Sequence, residues 1–150
     1  MAAAVLAAAT SGLVLVSPAA SAAPKTAAVP LSVQGNCSPI VGCSQIHNDS
    51  HTFIIIRPNW TCGGTTGSTG GIGCTSGTST YLWAGQHTPT NQDWDTFRVD
   101  PGWCYKVKFY LPFKSWTVKY NRIGLGEIWV KVEDWATAVI QAQSVGSCPA

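Results

Sequence analysis

Residues 102–143, GWCYKVKFYLPFKSWTVKYNRIGLGEIWVKVEDWATAVIQAQ, hold four of the seven tryptophans and six of the nine lysines and arginines in the chain. Apolar and polar side chains alternate along most of this stretch, and a period of two is typical of strands with one buried face. Between residues 103 and 111 the odd positions are apolar or aromatic, while Lys106, Lys108 and Tyr110 fall on the opposite face. This segment is therefore predicted to be a half-buried strand.

The alternation changes phase twice beyond this first strand. After residues 112–115 the apolar positions become Trp116, Val118 and Tyr120, which predicts a turn or bulge because a one-residue slip exchanges the two faces. Residues 121–126, with two glycines, predict the next turn. From residue 127 onward the even positions are apolar, with Asp134 the exception. Residues 133–143 also fit a helical stripe, but the alternation favours a strand.

The rest of the chain supports an all-β fold. The run HTFIIIR at 51–57 ends at Pro58 and predicts a buried strand, and shorter strands are expected at 81–84 and 96–99. Residues 62–80 include seven glycines and predict a long loop, whereas Asp100, Pro101 and Gly102 predict a tight turn. Charged residues make up only 11% of the chain, which suits an extracellular protein. We expect a small, disulfide-stabilised antiparallel β-sandwich or barrel.

The N-terminal region predicts export. Residues 1–16 are apolar and uncharged, and Ala20, Ser21 and Ala22 form a small-x-small cleavage pattern, so residues 1–22 are interpreted as a signal peptide. The apolar run is shorter than the roughly 20 residues that a membrane helix needs, so no membrane span is expected. Residues 23–36 are interpreted as a flexible leader and 37–150 as a single domain. These features predict a secreted, extracellular protein of bacterial type.

Six cysteines in an exported chain predict three disulfides. Zinc binding is not expected, because no close Cys-x-x-Cys pair occurs. Six cysteines allow fifteen pairings. We favour the sequential pairing of Cys37 with Cys43, Cys62 with Cys74 and Cys104 with Cys148.

The sequence lacks strong catalytic or cofactor signatures. The glycine-rich segment has no P-loop lysine, and neither a Gly-x-Ser-x-Gly elbow nor a His-Glu-x-x-His motif occurs. His47 and His51 flank Asp49, but no third ligand stands nearby, so a hydrated turn is favoured over a metal site. We expect no cofactor and no metal, and we favour a binding protein over an enzyme.

A basic and aromatic face is the main functional hypothesis. Between Lys106 and Lys131 the chain has six basic residues and one acid, Glu127. Such a surface suits a polymer, because rings stack on sugar or base faces while ammonium groups meet anions. For an exported protein a cell-wall or extracellular polysaccharide is expected rather than nucleic acid. The predicted ligand-binding residues are Tyr110, Trp129, Trp135, Lys106, Lys108, Lys119 and Lys131. The competing interpretation is that the tryptophans are core and the lysines a solvated face.

Two further functions stay open. Pairing of Cys37 with Cys43 would close a proline-containing loop that suits a secreted protease inhibitor, because a preorganised loop binds at lower entropic cost. Asp93 and Asp95 flank Trp94 and would suit a small extracellular glycoside hydrolase, which needs two carboxyl groups close together. A solvated turn is the simpler interpretation of these acids.

Overall fold

The computed structural model describes Cys37 and residues 42–150. The predicted signal peptide and leader lie outside these residues. Within them, the elements in chain order are β1 (Gln45–Asn48), β2 (Ile54–Arg57), β3 (Asn59–Trp60), β4 (Thr69–Gly70), a 3-10 helix (Ile72–Cys74), β5 (Thr75–Ser76), β6 (Thr80–Leu82), β7 (Thr96–Val99), β8 (Trp103–Leu111), β9 (Lys114–Asn121), β10 (Ile128–Lys131) and β11 (Thr137–Val145). The all-β class is confirmed.

The longest strands form a four-stranded sheet in the order β1-β11-β8-β9. β8 and β9 are joined by a two-residue hairpin turn, since Leu111 pairs with Lys114. A turn of even length shifts the inward positions from odd to even numbers, which explains the first change of phase. β11 is a strand, as favoured, and is antiparallel to β8. β1 runs parallel to β11, so this sheet is mixed and not purely antiparallel as expected.

A bulge in the middle of β11 was not predicted. Its register against β8 shifts between Ile140, which pairs with Val107, and Ala142, which pairs with Lys106. The extra residue turns Ala142 to the outer face and Gln143 to the inner one, where Gln143 is buried opposite Tyr105. The alternation of small apolar residues hid this exchange of faces.

A five-stranded sheet, in the order β4-β10-β7-β2-β6, forms the second layer. Its inward residues meet those of the first sheet in one hydrophobic cluster, in a sandwich-like arrangement. Ile54, Ile56 and Phe97 from the five-stranded sheet are buried in the same cluster as Val107 and Phe109. These residues therefore form the core, as the β-branched run predicted for Ile54 and Ile56 and the period of two predicted for Val107 and Phe109.

The glycine-rich segment, here called the glycine-rich layer, contributes strands to two different sheets. β3 and β5 pair as a two-stranded sheet, and β4 pairs with β10 in the five-stranded sheet. The backbone of Gly67 donates to the carbonyl of Lys131 at 2.9 Å, while Lys131 donates to the carbonyl of Ser68 at 2.8 Å. At Gly70 a side chain would meet the Cys74 sulfur at 2.7 Å. Glycine is thus required where this segment packs closely on itself.

The predicted disulfide pairing is confirmed for all six cysteines. The bonds join Cys37 to Cys43, Cys62 to Cys74 and Cys104 to Cys148. The third bond starts at Cys104, a buried residue of β8, which is an inner strand of the four-stranded sheet. It ends at Cys148, in the segment after β11. Among the described residues, no helix has both the length and the apolar character needed to cross a lipid bilayer.

Candidate functional site

The structure divides the seven predicted binding residues between separate surfaces. Those on the outer face of the four-stranded sheet are Tyr110, Lys106, Lys108 and Lys119. The other three lie elsewhere: Trp129 and Lys131 are on the five-stranded sheet, and Trp135 is in the connection between β10 and β11. The predicted site is therefore not one continuous strip of strands.

Lysines and one ring follow the outer face of β8. The outward residues of this strand include Lys106, Lys108 and Tyr110. The Cα atoms of successive outward residues lie roughly 7 Å apart along the strand. Lys119 of β9 pairs directly with Lys106 across the two strands. The Lys108 ammonium lies 4.9 Å from the centre of the Tyr110 ring, which is 41% exposed. These four residues, here called the basic face, place three lysines and one exposed ring on the same side of the sheet, with the Lys108 ammonium beside the ring.

Within the part of the chain that the structure describes, no outward position of these four strands holds an acidic residue. Neighbouring outward positions carry short or neutral side chains, such as Thr117 opposite Lys108 and Thr137 opposite Tyr110. Asp49, which follows β1, lies 3.5 Å from the His87 ring nitrogen. Lys106 Nζ donates to the backbone oxygen of Ala150 at 2.6 Å. The basic face thus has a local excess of positive charge.

Trp129 is a structural residue. It is only 1% exposed, and it pairs with Arg98 of β7 and Gly70 of β4 on the outer side of the five-stranded sheet. The Arg57 guanidinium lies 5.1 Å over its ring. Arg57 is held there by donating to Ser79 Oγ at 2.8 Å. The glycine-rich layer covers the face that the alternation had assigned to a ligand.

Lys131 fastens the glycine-rich segment to the sheet. Its Nζ donates to the Gly64 carbonyl at 2.7 Å and lies 3.8 Å from Glu133. Glu133 in turn accepts hydrogen bonds from the Thr66 amide at 2.9 Å and hydroxyl at 3.1 Å. The ammonium group therefore has a structural role.

Trp135 is exposed and has an unusual backbone. It is 44% exposed and, among the described residues, is the non-glycine residue with a positive φ, at 62°. It occupies the turn closed by the Ala136 amide, which donates to the Glu133 carbonyl at 3.0 Å. Positive φ at this turn position normally calls for glycine. A bulky ring is thus retained at a position that disfavours it.

A pocket of about 260 Å³ lies against Trp135. Its wall also includes Trp60, Asp95 and Asp134. The Trp60 amide donates to Asp95 Oδ2 at 3.2 Å, and the Val132 amide donates to the Asp95 carbonyl at 2.6 Å. β3, β7 and the turn after β10 are thus tied together around the cavity.

Asp93, Asp95 and Asp134 form an acidic cluster whose nearest oxygens lie within 4.8 Å of one another. Burial, followed by repulsion from Asp93 and then from Asp134, raises the pKa of the Asp95 carboxyl to about 7. Asp93 is 6% exposed and accepts hydrogen bonds from Ser44. Of the two acids proposed as a catalytic pair, Asp95 alone lines the pocket.

Most residues of this pocket could not be identified as neighbours from the sequence. Trp60 and Asp134 are distant in the chain and meet only because β3 and the turn after β10 converge. Asp134 did give a signal, as the single polar interruption of the even apolar positions. Asp95 had been noted, but with Asp93 as its partner.

The histidines do not form the metal pair considered from their spacing. The His47 ring stacks on His87 with centroids 4.0 Å apart, while His51 is exposed beyond β1. Burial and the neighbouring His87 lower the pKa of His47, which favours the neutral imidazole. The loop proposed for protease inhibition, residues 38–41, lies outside the described residues.

Comparison with known proteins gives no match to a protein-family model, a curated protein or a solved structure.

Proposed function

We propose that the protein is an extracellular, non-catalytic domain that binds an anionic polysaccharide through the basic face. The observation that carries the proposal is the direct pairing of Lys106 with Lys119, with Lys108 beside them. Like charges placed opposite one another destabilise a sheet. An anionic polymer along the face would relieve that repulsion.

The shape of the surface supports an extended ligand. Four neighbouring strands present a broad sheet face, on which Tyr110 and the lysines follow the direction of β8. Of the three lysines, Lys119 is exposed, whereas Lys106 and Lys108 are half-buried. Uronic-acid polymers carry carboxylates at regular intervals and sugar faces that can stack on an exposed ring. Tyr110 adds a ring contact to an interaction dominated by charge.

Affinity measurements with polygalacturonate test the proposal, with neutral dextran as the comparison polymer. We expect binding to polygalacturonate that weakens at least tenfold between about 0.02 and 0.5 M salt, because salt screens exposed charges. The combined substitution Lys106→Gln, Lys108→Gln and Lys119→Gln should abolish it. The single substitutions Lys119→Gln and Arg122→Gln remove the same charge, but Arg122 lies in the β9–β10 turn, off the basic face. Only Lys119→Gln should weaken binding several-fold.

Three outcomes would refute the proposal. The first is equal affinity for dextran and polygalacturonate. The second is equal loss of affinity in the Lys119→Gln and Arg122→Gln variants. Tighter binding to single-stranded DNA than to polygalacturonate would assign the face to nucleic acid instead.

A further inference from the structure

Two cavities meet at Trp135. The first, of about 260 Å³, has Trp60, Asp95 and Asp134 in its wall. The second, of about 440 Å³, is bounded by the β8–β9 hairpin turn, including Leu111 and Phe113. Trp135 lines both cavities, the first with charged neighbours and the second with mostly apolar ones.

We infer that this pair of cavities is a second binding site, which holds uncharged sugar rings of an oligosaccharide against Trp135. The site lies at the hairpin end of the sandwich and shares no residue with the basic face. It does not depend on the function proposed above.

The chemistry of the first cavity fits a sugar ring better than an apolar ligand or an anion. Indole rings of Trp60 and Trp135 offer flat surfaces for the C–H face of a pyranose. Asp95 and Asp134 provide acceptor oxygens for its hydroxyl groups. Lys131 also lines this cavity, but its ammonium group lies 3.8 Å from the Glu133 carboxylate, so the acids, with Asp93 behind them, leave an excess of negative charge that repels a carboxylate or phosphate.

The walls of the site are held in place before any ligand arrives. Thr66 fixes Glu133 at the start of the Trp135 turn through three hydrogen bonds of 2.9 to 3.1 Å. The Trp60 indole nitrogen donates to the Gly63 carbonyl at 3.1 Å, which sets the orientation of that ring. Preorganised walls lower the entropic cost of binding. The unfavourable φ of Trp135 is maintained by this support.

The second cavity extends the site along one direction. Phe113 is completely exposed at the tip of the hairpin, and Leu111 and Lys114 also border a third cavity of about 200 Å³ that Trp116 lines. A ligand longer than one sugar would therefore pass from the acidic cavity over Trp135 towards the hairpin. This arrangement favours an oligosaccharide over a monosaccharide.

Titration of the oxidised protein with cellohexaose, fully N-acetylated chitohexaose and laminarihexaose, followed by NMR of the indole N–H groups, tests the inference. We expect at least one of these neutral hexasaccharides to shift the Trp60 and Trp135 signals, and its monosaccharide to bind at least tenfold more weakly. Trp135→Gly removes the ring at a backbone position that suits glycine, and should reduce hexasaccharide affinity at least tenfold. Trp83→Ala is the matched control, because Trp83 is 57% exposed and lines none of the three cavities.

The inference is overturned if none of the three hexasaccharides shifts the Trp135 signal at about 10 mM, a concentration that detects even millimolar dissociation constants. It is also overturned if the Trp135→Gly variant, shown to be folded by its thermal transition, binds as tightly as the Trp83→Ala control. Binding to polygalacturonate should be unchanged in the Trp135→Gly variant, which separates this site from the basic face.

Discussion

The guanidinium group of Arg57 lies 5.1 Å over the centre of the Trp129 ring and helps to bury it on the outer side of the five-stranded sheet. Trp129 is excluded from the cluster between the two large sheets, yet it is 1% exposed because the glycine-rich layer packs over it. We predict that Trp129→Ala lowers the free energy of unfolding by about 3–5 kcal/mol, the usual cost of deleting a buried aromatic ring. Chemical denaturation measures this change.

The control for Trp129 is again Trp83→Ala. Because Trp83 is largely exposed, its removal should change stability by less than about 0.5 kcal/mol. If Trp129→Ala left stability intact and instead removed polysaccharide binding, Trp129 would be a ligand-binding residue after all.

The cross-strand lysine pair predicts opposite effects on stability and binding. Lys119→Glu replaces repulsion of Lys106 by attraction, and should raise the free energy of unfolding by about 0.5 kcal/mol. The same change should strongly weaken binding to polygalacturonate. Thermal denaturation and the polymer titration, carried out on one preparation, measure both. A Lys119→Glu variant that is less stable than Lys119→Gln would contradict the repulsion argument.

The turn at Trp135 predicts that glycine is preferred to alanine. Both substitutions delete the ring, but only glycine adopts a φ of 62° without a steric cost. We expect Trp135→Gly to be more stable than Trp135→Ala by about 1 kcal/mol. Denaturant midpoints of the two variants give the difference. Equal midpoints would mean that the turn relaxes to another conformation when the ring is removed.

The raised pKa of the Asp95 carboxyl group predicts that the protein becomes less stable as the pH rises. Its pKa is about 7 in the folded protein, against an ordinary value of 3.8. The folded state therefore holds a proton that the unfolded state has released, and stability decreases between about pH 4 and pH 7. Asp95→Asn should remove this dependence and, after allowance for solvent screening, stabilise the protein at pH 8 by about 1–2 kcal/mol.

Thermal denaturation of the wild type and Asp95→Asn at pH 4 and pH 8 measures this effect. The two proteins should be similar at pH 4, where the carboxyl group is neutral in the folded state. Asp49→Asn, at an exposed position beside His87, provides the control and should have little effect at pH 8. A difference between wild type and Asp95→Asn that is as large at pH 4 as at pH 8 would indicate a packing effect instead.

The lengths of the loops that the disulfides close predict which disulfide contributes more to the free energy of unfolding. Cys104 and Cys148 are 44 residues apart, whereas Cys62 and Cys74 are 12 apart. Removing the longer-range bond should cost about 4 kcal/mol and removing the shorter about 3 kcal/mol, because longer loops restrict the unfolded chain more. Paired Cys→Ala variants, compared by chemical denaturation, test the order. If removing the Cys62–Cys74 bond cost more than removing the Cys104–Cys148 bond, the packing of the glycine-rich layer would matter more for stability than the length of the closed loop.

Much of the fold was accessible from local patterns. The two-residue alternation in 103–121 predicted β8, β9 and the turn between them, because that period follows from the pleat of a strand. The Asp100-Pro101-Gly102 turn is also present, with a φ of 78° at Gly102. Tyr110 and three of the four predicted lysines share one face, since their positions are set by the strands that carry them.

Other features depended on contacts between distant parts of the chain. Alternation shows that Trp129 and the core residues of β10 point in opposite directions, but it does not show what covers each side, and here the glycine-rich layer covers Trp129. In the same way, Trp60, Asp95 and Asp134 become neighbours only when three separate segments converge. Most strands, and the face on which most of their side chains lie, could be predicted from the sequence because they follow from the local backbone repeat; the bulge in β11 is the exception. The tertiary structure decided which faces are buried and which residues share a cavity, because burial is a property of packed layers.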